Sequence, residues 1–146
     1  MSASNSFESA LLRHIFLNEA IANIGDATGL PSAATAGSLY IGLHTADPGE
    51  AGSQATSEAT YTGYARVAVA RTTGGWSEAS GTVSNVALVT FPAATGGTNS
   101  ITHFSIGSSA SGAGQLRFSG ALTAPLAVSN GITPEFGIGG LTISLD

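Results

Sequence analysis

Leu39-Tyr40-Ile41-Gly42-Leu43-His44-Thr45-Ala46-Asp47-Pro48-Gly49-Glu50 is the stretch on which the reading of this chain turns. Its first six residues alternate, with Leu39, Ile41 and Leu43 on one side, the period-two pattern of a strand with a buried face. The alternation stops at Asp47-Pro48-Gly49, where proline presets φ and glycine accepts a positive φ, so the strand runs into a turn. From there to Gly63 the chain is mostly Gly, Ser, Thr and Glu, with almost nothing to bury. A loop of that length without its own structure is usually functional or mobile.

The same period continues downstream. Tyr64 to Arg71 sets Val67 and Val69 against Arg66, and Thr82 to Phe91 carries Val83, Val86, Leu88 and Val89 before Pro92 ends it. Ile101 to Ile106 is short and apolar. Gln115 to Leu122 groups Leu116, Phe118 and Leu122, with Arg117 facing the other way. Leu126–Val128, Ile132–Phe136 and Leu141–Leu145 complete the set. About eight short strands divided by Gly/Ser/Thr turns, with no alternating helices, predict a mainly β chain: an antiparallel β-sandwich, jelly-roll-like in its specific form.

Upstream the period changes. Phe7, Leu11, Leu12, Ile15 and Phe16 recur at spacings of three and four, which places them on one face of an amphipathic α-helix. Asn5 with Glu8 three residues later predicts a capping box, and Gly25 with Gly29-Leu30-Pro31 a stop. The expected organisation is a single domain over 1–146, with a helix over 6–23 and a sandwich over 38–146.

Composition narrows the chemistry. Charged residues make up 9% of the chain and all four basic ones are arginine: Arg13, Arg66, Arg71 and Arg117. A freely soluble small domain usually carries about 25–35% charged residues on its surface. Here Ser, Thr, Gly and Ala must cover that surface, or other protein must. A net charge of −5 with no lysine argues against nucleic acid, whose phosphates demand several Lys/Arg contacts. No stretch approaches the ~20 apolar residues that span a bilayer, and no signal peptide is evident. The absence of cysteine removes disulfides and thiolate metal sites together.

No catalytic constellation emerges. His14, His44 and His103 lack HExxH or HxH spacing, so no metal site is expected. His14 reads as a packing or capping residue of the helix, and His103 as a satisfied surface or interface histidine. His44 and Asp47 invite a serine-hydrolase reading, but no GxSxG turn exists, so they read as organising the strand-end turn. Among the acids Glu8, Glu19, Asp26, Asp47, Glu50, Glu58, Glu78, Glu135 and Asp146, Glu50 and Glu58 share a loop with only Tyr61 and Tyr64 nearby. That is a weak glycosidase signal. Gly137-Ile138-Gly139-Gly140 precedes a strand and so is no dinucleotide fingerprint. No cofactor is expected.

The blocks Leu39–Glu50, Gly63–Val69, Gly81–Asn85, Val89–Pro92, Ile101–Ile106, Gly120–Thr123, Val128–Gly131 and Leu141–Asp146 together resemble a family of small tailed-bacteriophage virion proteins, whose members often carry the label tail fibre protein. The resemblance implies a virion location, assembly in the host cytoplasm and no enzyme activity. A compact sandwich without a shaft-like repeat further points to a capsid cement (decoration) protein that binds the major capsid protein as a homotrimer. The alternative is a tail-fibre or tail-accessory module that contacts tail proteins and a host receptor. Candidate partner contacts are Phe7, Leu11 and Ile15 on the helix, and Pro48, Glu50, Tyr61 and Tyr64 around the loop.

Overall fold

The computed structural model describes residues 2–145, so Asp146 lies outside the described residues. The chain is mainly β, with one N-terminal helix and antiparallel sheets. It forms two compact units. One contains the residues up to Ser38, Ala70–Leu88 and those from Phe136 on; the other contains Leu39–Val69 and Val89–Glu135.

The first unit holds helix α1 (Asn5–Leu17). Ser4, not Asn5, is the N-cap: it is extended, and its hydroxyl accepts from the Phe7 N–H at 3.4 Å. The helix ends well before the expected residue 23. Asn18 takes a left-handed conformation (φ 56°), which its side chain fixes by bonding both backbone groups of Ala33, at 2.8 and 2.9 Å. The Arg71 guanidinium closes the end, donating to the carbonyls of His14 (2.6 Å), Ile15 (2.5 Å) and Ala36 (3.0 Å). A cation there also complements the helix dipole. His14 behaves as a cap, its Nδ1 lying 2.7 Å from the Glu19 carbonyl.

Helix α1 packs on β3 (Trp76–Ala79) and β4 (Thr82–Asn85), in a sheet ordered β3-β4-β9 with β9 at Thr142–Ser144. The stripe it buries is Leu12 and Phe16, and the Phe16 ring meets Trp76 edge-on at 4.8 Å. Val83, paired with Ile143, completes this core. Thr82–Phe91 does not run as one strand. Asn85 is buried, and its side chain donates to Ala87 O and Gly137 O and accepts from Leu141 N–H, which breaks the strand.

The second unit is built on a four-stranded sheet ordered β2-β1-β6-β7. These strands are β1 (Ser38–His44), β2 (Val67–Ala70), β6 (Asn99–Gly107) and β7 (Leu116–Val128). As expected, Leu39, Ile41 and Leu43 are buried. Ile41 pairs with Ile106, and Ile106 with Phe118, on one face. The two strands expected at Gln115–Leu122 and Leu126–Val128 are one, interrupted by a register shift between Ile101 and His103 of β6. The shift sets Leu122–Pro125 against Thr102, and a bulge is where a strand tolerates a proline. Of Ile132–Phe136 only Glu135–Phe136 forms a strand (β8), beside β5 (Val89–Thr90).

Candidate functional site

The second face of β1 decides what the loop after it does. Gly42 and His44 lie on that face, opposite Ser105 and His103 of β6, and a solvated strand would leave them exposed. Both are instead buried. The loop 45–63 folds back over them: Thr45 N–H donates to Ser57 O and Ala59 N–H to Leu43 O, each at 2.8 Å. The segment expected to be unstructured is therefore fastened to the sheet.

Its fastening is polar. The His44 Nδ1 lies 2.8 Å from the Thr56 carbonyl, which only accepts, so Nδ1 carries the proton. Nε2, 2.7 Å from Ser105 Oγ, is then the acceptor for that hydroxyl. Burial pushes the imidazole below its usual value, against the raising effects of the Thr56 bond and the Glu58 carboxylate. The Tyr64 hydroxyl accepts from Leu43 N–H (3.0 Å) and donates to Glu58 Oε1 (3.0 Å); burial raises its pKa.

Glu58 in turn accepts from Arg66 Nε (2.6 Å) and Nη2 (2.8 Å), a two-pronged pair in which the arginine side chain is 1% exposed. Arg66 also donates to Ser109 O (2.9 Å) and Gly112 O (2.7 Å), which anchors the Ser/Gly/Ala loop between β6 and β7. Gln54 grips the same loop, accepting from Ser109 N–H and donating to Tyr40 O. Glycine is required under these groups. A Cβ on Gly42 would lie 2.9 Å from Ser105 Oγ, and one on Gly107 only 2.1 Å from Gln54 Cδ.

The Ser105–His44 pair has the donor–acceptor polarity of an activated nucleophile, but its third member is a carbonyl and both residues are 0% exposed. Asp47 takes no part; it accepts from Gly49 N–H in the turn that ends β1. In this arrangement the cluster holds loops to a sheet. Sequence reasoning found His44, Tyr64 and Glu58 but not their joint role, since their partners Ser105, Arg66 and Gln54 come from distant segments. The one signal was Gly42 in the middle of a strand, where a missing side chain marks close approach.

The predicted contact residues fall into two sets. Phe7 is 43% exposed, Leu11 and Ile15 are half-buried, and Glu50 is exposed. Pro48 is buried. Tyr61 is also buried, its hydroxyl donating to Pro92 O (3.0 Å), and Tyr64 belongs to the cluster just described. Of the two rings, that of Tyr61 is buried and that of Tyr64 is half-buried. Among the described residues no His/Asp/Glu group is placed to hold a metal, and no helix is long and apolar enough to cross a membrane.

Compared with known families, the sequence matches the one described as podophage GP4 fiber I protein gp80, over residues 2–144. The chain belongs to that family. No curated protein matches it. Membership of the gp80 fiber I family makes this a phage virion protein, in line with the resemblance read from its sequence.

A gp80-family chain with so few cations spends most of them internally. Arg13 pairs with Glu78 (2.7 Å) and Glu19 (3.3 Å), Arg66 with Glu58, and Arg71 with three carbonyls, while Arg117 is exposed within β7. Trypsin cuts only after Lys or Arg, and needs a locally unfolded segment to do so. The native chain is therefore expected to survive a digestion that cleaves the urea-unfolded chain at every arginine. A rapid native cut after Arg117, read by mass spectrometry, would show instead that β7 opens locally.

Proposed function

We propose that this chain is a structural, non-enzymatic module of the fibre apparatus of a tailed phage, serving as a fitting and not as a shaft. The family match over residues 2–144 carries the reading. Among the described residues the longest strand has 13 residues, and no supersecondary unit recurs as a fibre shaft requires. The polar cluster supports a structural role, because its ionisable groups are engaged with one another and with backbone. From Ala79 to Pro134 the only charged side chain is Arg117, a composition suited to a surface covered by other protein. In this reading the copies assemble as a homotrimer on tail proteins, with Phe7 and Glu50 among the contacts.

That same scarcity of charge favours a second reading, a cement protein seated on the major capsid protein. Gold-labelled antibody against the purified chain, imaged on intact virions, separates the two. Label at the tail supports the fibre reading. Label spread over the shell overturns it in favour of cement.

A further inference from the structure

We propose that His44 is an acid-sensitive clasp: neutral, it ties the segment around Thr56 to the sheet, and its protonation releases that segment while the sheet stays folded. The geometry gives the clasp two arms on different elements. Nδ1–H reaches Thr56 in the loop, and Nε2 receives the hydroxyl of Ser105 in β6. The Ser105 arm requires the neutral ring as it stands, whereas the Nδ1–H bond to Thr56 survives protonation and works against release. A proton on Nε2 faces a hydroxyl that is already donating, so Ser105 must turn its own proton elsewhere, in a site where His44 and Ser105 have no solvent exposure.

The charges around the ring do not remove that cost. Glu58 and Arg66 act on it from the loop side, the first favouring and the second opposing protonation; His103 of β6 also opposes it. Tyr64 adds only a neutral hydroxyl, and Glu58 is already shared between it and Arg66. The imidazolium is therefore relieved by reaching water, and the loop bonded to it through Thr56 is the cover that would open. Two backbone bonds hold that part of the loop to the end of β1, Thr45 N–H to Ser57 O and Ala59 N–H to Leu43 O. By contrast β6 and β7 pair along most of their length.

The sign follows from linkage. Burial holds the folded-state imidazole below its ordinary 6.5, so the open form binds the proton more readily. The closed loop is fully favoured above about pH 6.5, and each unit below that raises the open population by up to ~10-fold until the folded ring itself titrates.

Amide hydrogen exchange of the full chain at pH 7.5 and 5.5, corrected for intrinsic exchange rates, tests this. Protection of Thr45 and Ala59 is expected to fall at pH 5.5, by up to about tenfold, with the β6–β7 amides unchanged. In His44→Gln this pH dependence disappears. Ser105→Ala removes a hydrogen bond that favours the neutral ring, so the folded ring takes its proton more readily and the acid-driven loss of protection shrinks. Equal protection at both pH values, the same acid loss in His44→Gln, or loss spread evenly over β6 and β7 would each overturn the proposal.

Discussion

Replacing Arg66 with alanine is expected to cost about 3–5 kcal/mol of folding stability, one of the two largest losses any single side chain here should cause. The reason lies more in what is left behind than in the ion pair itself. Arg66 satisfies both oxygens of Glu58 and the carbonyls of Ser109 and Gly112. Without it, a carboxylate with a side chain only 19% exposed keeps a single neutral partner, Tyr64, and the β6–β7 loop loses two of its tethers. Urea unfolding followed by circular dichroism gives the number. The double variant Glu58→Gln/Arg66→Met should lose clearly less than Arg66→Ala alone, since it leaves no uncompensated charge. Were both variants within about 0.5 kcal/mol of the parent, in the range of an ordinary surface change, the cluster would not be what holds the loops.

Trp76→Ala should cost a similar ~3–5 kcal/mol, by cavity formation in the first unit. Trp76 has no solvent exposure and is the largest side chain in that core, where it meets the edge of Phe16 and lies on the strand against which α1 packs. Trp76→Phe keeps most of the apolar area and is expected to lose much less. Circular dichroism is again the right probe, because Trp76 is the chain's only tryptophan and fluorescence leaves with it. A loss below about 1 kcal/mol in Trp76→Ala would mean that α1 does not depend on this contact.

Patterns that depend on nearest neighbours were legible in the sequence. The alternation in Leu39–His44 located β1 and its buried face, and the three-four spacing located α1 and its Leu12/Phe16 stripe. What was not legible depends on partners distant in sequence. Apolar spacing alone does not show that Asn18 will turn left-handed to bind Ala33, or that Arg71 will cap the helix end, so the helix was read as too long. Asn85 looked like one polar residue within a strand, but its bonds to Gly137 and Leu141 break that strand.

The loop after Asp47 shows the same limit from the other side. With little to bury it read as loose, and it is held by hydrogen bonds to His44, Arg66 and the end of β1. Tyr61 and Tyr64 are candidate partner contacts at the edge of that loop. They pack against each other at 5.3 Å, with Phe91 stacked on Tyr64 at 6.4 Å, since the loop folds inward. Hydropathy reports what a segment can bury; it does not report which backbone groups will be tied down.

The central claim, that this gp80-family chain is a fitting of the fibre apparatus, rests on where the chain sits in the particle. Copy number reads that most directly: quantify the chain against the major capsid protein in purified virions by mass spectrometry. The fibre reading predicts a ratio of a few per cent, because a tail offers only a handful of symmetric sites while the shell offers one per capsid subunit. A ratio near one copy per capsid subunit would contradict it and place the chain on the shell.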